Sequence, residues 1–160
     1  MTGDRLDDAF LRKVREDHPA PIAQAARRFQ AANGDARLTE AVNLVSTLVL
    51  TLGTVSLAWC QYRQLRPSGV QHWHDKFQRQ APVLGDWLGA ARAGAKLAAD
   101  IGVPLSGLEV ALDGNGEGRL AADLDELVTL RNRFAHGWAS WATLDALRAL
   151  EAYVFRASQF

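Results

Sequence analysis

The stretch AVNLVSTLVLTLGTVSLAWC, residues 41–60, contains no charged residue, and its reading decides the fold. About twenty apolar residues are enough to cross a bilayer. However, Asn43, Ser46, Thr47, Thr51, Thr54 and Ser56 interrupt the run, and its flanks carry no marked Lys/Arg bias. The buried central helix of a bundle has the same composition. The stretch is therefore expected to be a core helix, with a membrane-anchored helix as the alternative.

Outward from this run, helical signals dominate and period-two alternation is almost absent. Asp35 is a plausible N-cap for the long helix, which should run to about Gln64 before Arg66-Pro67-Ser68-Gly69 breaks it. Upstream, Leu6 to Val14 forms a short helix that stops before His18-Pro19-Ala20-Pro21. Pro21 then suits the first turn of a helix over Ile22 to Ala32. Asn33-Gly34 follows, a pair that tolerates the left-handed conformation at a helix end. Downstream, helices are expected over Val70–Gln80, Gly85–Ala99, Arg119–Ala135 and Ala142–Ala157. The Gly-rich segment 113–118 is the expected flexible loop. Short connections between long amphipathic helices favour antiparallel neighbours. The predicted fold is all-α: one domain over residues 1–160, with an N-terminal helical extension (1–34) on an up-and-down bundle core (35–160).

A chain of 160 residues with 48% apolar content can build a core of its own. Its 18 basic and 18 acidic residues cancel. There is no global basic excess of the kind that drives non-specific phosphate binding, although a local cleft can be positive on a neutral protein. Cys60 is the only cysteine, so no intrachain disulfide forms, which fits a reducing compartment. The first residues lack the layout of a secretory signal, and the expected location is cytoplasmic, with no membrane partner.

Chemistry concentrates on the helix expected over Arg119–Ala135. At about 100° per residue, Leu120, Leu124, Leu127, Leu130 and Phe134 share one arc, and Asp125, Glu126, Thr129 and Arg133 share the other. Arg131 falls near the centre of the apolar arc. A guanidinium aimed at an interior costs on the order of several kcal/mol unless a carboxylate, a carbonyl, a subunit interface or a phosphate offsets it. Five residues beyond Arg131, His136 precedes Gly137, a residue that lets the helix end and the imidazole turn back toward the arginine. Asn132 is the polar neighbour of both. Arginine, amide and imidazole converging on one cleft suit phosphodiester chemistry, because the imidazole moves protons and the guanidinium holds phosphoryl charge. The structural alternative is an Arg131 salt bridge to a neighbouring helix, with His136 capping its own.

Leu130-Arg131-Asn132-Arg133-Phe134-Ala135-His136-Gly137 resembles the signature of the HEPN superfamily. That signature is an arginine, a polar residue directly after it, a short spacer and a histidine at the end of a bundle helix. Leu84-Gly85-Asp86-Trp87-Leu88 and Pro21-Ile22-Ala23 more diffusely resemble bacterial members tied to defence and signalling. The resemblance implies a four-helix core that pairs as a homodimer, with two copies of the motif meeting at the interface. Active members are metal-independent ribonucleases, often toxins or antiphage effectors. In this chain the resemblance implies catalytic roles for Arg131, Asn132 and His136. His136 would activate the ribose 2′-hydroxyl or protonate the leaving group, Arg131 would stabilise the phosphorane-like charge, and Asn132 would orient the histidine or the phosphate. Possible partners are RNA as substrate and an antitoxin or a fused or neighbouring defence protein. Other members are non-catalytic interaction or sensing modules.

Weaker signals are assigned to structure. His72-Trp73-His74-Asp75 does not make a metal site, since the two histidines point about 200° apart on a helix. The segment from Asp113 begins like a calcium loop, but Leu124 stands where the closing glutamate belongs. No metal or cofactor is therefore expected. Asn43, Thr47, Thr51, Thr54 and Ala58 form a small-residue stripe suited to close helix packing or, alternatively, to lining the cleft opposite Arg131. The five tryptophans read as core or interface anchors, and Trp138, beside the motif, is the one closest to the chemistry.

Overall fold

A computed structural model describes residues 8–105, 108, 112 and 119–135. Its elements are α1 (Asp8–Asp17), α2 (Ala20–Ala31), α3 (Asp35–Tyr62), α4 (Ser68–Phe77), α5 (Leu84–Asp100) and α6 (Arg119–Ala135). Among the described residues there is no strand, so the all-helical expectation holds. The Gly-rich loop, the final helix expected over 142–157, and Trp138 and Trp141 lie outside the described residues.

The chain divides into two compact units, one from Met1–Leu48 with Asp123–Phe160 and the other from Val49–Ala122. In the first unit, α1 and α2 pack against each other. Pro21 occupies the first turn of α2, where its missing N–H costs nothing. The helix buries Ile22, Ala23, Ala25, Ala26 and Phe29. An Arg15–Gln30 hydrogen bond of 2.7 Å ties the pair together. The Arg37 guanidinium lies 4.2 Å above the Phe29 ring, and Arg28 approaches Glu40 at 3.9 Å. In α6, Leu124 and Leu127 of the expected arc are fully buried and Leu130 is half-buried, while Asp125, Glu126, Thr129 and Arg133 are exposed.

In the second unit, α4 and α5 pack closely. A Cβ added at Gly69 would stand 2.7 Å from the Ala93 Cβ. The C-terminal half of α3 meets α5 just as tightly. A Cβ at Gly53 would lie 2.9 Å from the Trp87 backbone oxygen, and one at Gly94 would lie 2.8 Å from the Ser56 Cβ. Ser56 is fully buried, and its hydroxyl donates to the Ala91 carbonyl at 3.2 Å. Burial also pushes the Cys60 thiol up from its ordinary pKa, making it an inert core side chain.

Two expectations for α3 need correction. The helix is not enclosed all round. Leu38, Ala41, Leu44, Val45, Leu48, Val49, Ser56 and Cys60 are buried, but Leu50 and Val55 are each 39% exposed. Nor does the stripe of Asn43, Thr47, Thr51, Thr54 and Ala58 make the close helix contact. Asn43, Thr54 and Ala58 are exposed, Thr47 and Thr51 are half-buried, and Thr54 donates to the carbonyl one turn back at 2.8 Å. Such back-bonding lets hydroxyls sit on an open face, while Gly53 and Ser56 provide the close approach. Residues 36–62 form one described helix long and apolar enough to cross a membrane by length and composition. Within its most apolar 18-residue window, 39% is buried against the protein.

α3 and α5 end in the same way. The Leu65 N–H donates to the Cys60 carbonyl at 2.9 Å and the Gln64 N–H to the Gln61 carbonyl at 3.1 Å. Val103 and Gly102 repeat the pattern on Ala98 and Ala99. This double bond requires a left-handed residue. Glycine supplies it at 102 (φ 65), but glutamine supplies it at 64 (φ 57).

Candidate functional site

The site rests on α6, whose buried leucines fix how the helix is turned. Arg131 lies about 40° around the helix from Leu127, on the arc that faces inward. Its side chain is half-buried, and its Nε is fully buried with no hydrogen-bond partner. One of its terminal nitrogens donates to the Asn132 amide oxygen at 3.2 Å. Among the described residues no carboxylate stands within ion-pair distance of Arg131. A guanidinium has five N–H donors, and a buried one left unsatisfied costs about 1–3 kcal/mol. The salt bridge to a neighbouring helix, the structural alternative for Arg131, is therefore not made within the described chain.

Arg131 and Asn132 are thus in direct contact and both half-buried. His136 and Gly137 lie outside the described residues. One residue escaped the sequence reading. Asp123 is 5% exposed and lies two turns before Arg131 on the buried flank of α6. Its position beside Leu124 and Leu127 is the signal that could have found it, because a carboxylate there is at odds with the apolar stripe.

A second polar cluster gives the opposite picture. Asp86, in the first turn of α5, accepts from Lys76 Nζ at 2.8 Å and from the Val83 N–H at 2.7 Å, with His72 Nε2 at 3.7 Å. Burial pushes this carboxyl up. The hydrogen bonds from Lys76 and the Val83 N–H, with the charges of Lys76 and His72, outweigh that and hold it below its ordinary value. His74 faces elsewhere, edge-on to Trp73 with ring centroids 5.3 Å apart. Among the described residues no group of three or more His, Cys, Asp or Glu could hold a metal ion. This cluster pins α4 to α5 and has no unsatisfied charge to offer a substrate.

No family model, curated protein or solved structure matches the chain. The site's chemistry therefore rests on its own residues.

Proposed function

We propose that this protein is a metal-independent endoribonuclease of the HEPN type, a toxin or antiphage effector. In this reading it has a four-helix core and acts as a homodimer whose Arg131, Asn132 and His136 form a composite site. The observation that carries the reading is Arg131, inward-facing, hydrogen-bonded among the described residues to Asn132 alone and with a buried Nε that has no partner. A phosphodiester supplies what that guanidinium lacks: a planar pair of acceptor oxygens whose charge grows in the transition state. The ribose 2′-oxygen would attack phosphorus as its proton leaves, and the bond to the 5′-oxygen would break. His136 would take the first proton or deliver one to the departing oxygen. The products would be a 2′,3′-cyclic phosphate and a free 5′-hydroxyl.

A non-catalytic interaction module is the second reading, favoured by the balance of 18 basic and 18 acidic residues. The two separate in one experiment: wild type and His136→Ala, prepared identically, are incubated with several single-stranded RNAs in EDTA. Cleavage by wild type alone, giving cyclic phosphate ends, is the expected result. Equal cleavage by both proteins, or cleavage by neither after any antitoxin partner is removed, overturns the nuclease reading. Light scattering should give a dimer at tens of micromolar, the order of magnitude at which a specific interface is populated.

A further inference from the structure

The segment from the end of α3 to just beyond α4 combines a local basic excess with exposed aromatic side chains. Residues 61–80 carry four Lys/Arg and a single Asp in a protein whose total charge is zero. Lys76 is engaged by Asp86, and Asp75 accepts from Gln71 at 2.7 Å. Arg63, Arg66 and Arg79 are all exposed and form no ion pair among the described residues. Two aromatic side chains accompany them. Tyr62 is 84% exposed. Phe77 is 59% exposed, and its inner face is held flat against Trp73, with centroids 5.0 Å apart and planes 10° from parallel.

Exposed cations would by themselves be an ordinary solvated surface, and a lone exposed aromatic is common on any protein. The combination is not ordinary. Phe77 is a fixed ring with its outer face open, so a further ring can extend the Phe77–Trp73 stack without ordering a mobile side chain. Tyr62, the last residue of α3, provides a second exposed ring ahead of α4 in the chain. Arg63 and Arg66 follow Tyr62 in the chain, and Arg79 follows Phe77. Stacking platforms spaced along a positive strip are how proteins hold single strands, where arginines follow the phosphates and rings take the bases. An anionic membrane would use the cations but has no need of a rigid ring set for stacking. An acidic peptide would use neither ring in this way.

We propose that Tyr62, Arg63, Arg66, Phe77 and Arg79 form a surface that binds single-stranded RNA outside the Arg131 site. The choice of RNA over DNA rests on the nuclease reading; the single-strand character rests on the surface itself. The surface would supply the phosphate affinity that the chain's neutral total charge does not.

The test is binding of a fluorescent, 2′-O-methylated twelve-residue oligouridine, which lacks the 2′-hydroxyl needed for cleavage, to the full chain in EDTA. Wild type should bind with an affinity that falls as salt rises, with a log–log slope of about −2 for three phosphate contacts. Arg63→Ala with Arg66→Ala should lower affinity about tenfold and reduce the slope by about 1.4. Tyr62→Ala should lower affinity about fivefold at unchanged slope, since it removes a stacked base and no charge. Arg27→Ala, at an exposed arginine of α2, should bind as wild type. All these side chains are exposed, so circular dichroism should be unchanged. Absence of wild-type binding at tens of micromolar in low salt overturns the proposal. So does equal binding by wild type and the patch variants, or patch-dependent binding to phosphatidylserine vesicles without binding to the oligonucleotide. If wild type binds in the expected pattern but cleaves no RNA, the nuclease reading fails and the surface stands. If it cleaves RNA while the patch variants bind unchanged, the surface fails and the nuclease reading stands.

Discussion

Lys76 and Arg131 are both cations drawn partly out of water, and the chain treats them in opposite ways. Lys76 meets a carboxylate at 2.8 Å, and the same carboxylate caps the start of α5. Among the described residues, Arg131 meets only the amide oxygen of the residue beside it, and its buried Nε–H has no partner. The first arrangement is closed around its charge: Lys76 and the Val83 N–H share one carboxylate, which ties α4 to α5. The second is open among the described residues, at a cost of about 1–3 kcal/mol for the unsatisfied N–H. On the proposed reading, stability and function separate onto different residues, and each can be disturbed without the other.

The largest stability effect belongs to the closed cluster. Asp86→Ala removes the acceptor of both Lys76 and the Val83 N–H and should cost about 2 kcal/mol in urea unfolding, in line with hydrogen bonds to a charged group. Arg131→Leu should do the reverse, ranging from no change to a gain of about 1 kcal/mol, because it removes a poorly satisfied guanidinium from an apolar arc. Equal losses from the two substitutions would break the comparison and make Arg131 a structural cation.

A smaller effect should appear with pH. The Asp86 carboxyl titrates below its ordinary value in the folded protein. Its stabilising contribution is therefore complete above the unfolded carboxylate value, about 3.9. It is lost as pH falls below that value and through the lower folded one. Comparing wild type with Asp86→Asn, the stability difference should be fully present at about pH 5 and shrink toward pH 3. A difference that stayed flat to pH 3 would mean that the Lys76 contact does not depend on the carboxylate's charge.

The open site was legible in the sequence to the extent that helix periodicity could show it. Leu124, Leu127 and the exposed Asp125, Glu126, Thr129 and Arg133 fix the rotation of α6, and Arg131 follows from them. Asp123 was missed because a single carboxylate beside a leucine stripe looks like the edge of the polar face. On α3 the sequence announced a helix but misjudged its surroundings. A charge-free run does not say which side is covered when its threonines can bond to their own backbone. Phe77, one turn beyond Trp73 at the end of α4, is exposed, and the helix expected over Val70–Gln80 did not show it. Gln64 was invisible for a related reason: the double bond that ends α3 demands a left-handed residue, and composition offered glycine only at 69. Gln64→Gly should relieve that conformation and stabilise the protein by about 0.5–1 kcal/mol, the smallest of these effects, read as a shift in unfolding midpoint. A loss of stability would mean that the Gln64 side chain has a packing role.

The central claim is that Arg131 is left open for a phosphodiester. Arg131→Lys tests it most directly, because lysine keeps the charge and loses the two-pronged fork. Rates of single-stranded RNA cleavage in EDTA should be measured for wild type, Arg131→Lys and Arg131→Ala at matched helical content. Both variants should fall by about a hundredfold or more, the scale of losing one transition-state donor. A wild-type rate in Arg131→Lys would contradict the account by reducing the site to a point charge. A wild-type rate in Arg131→Ala would remove Arg131 from the chemistry.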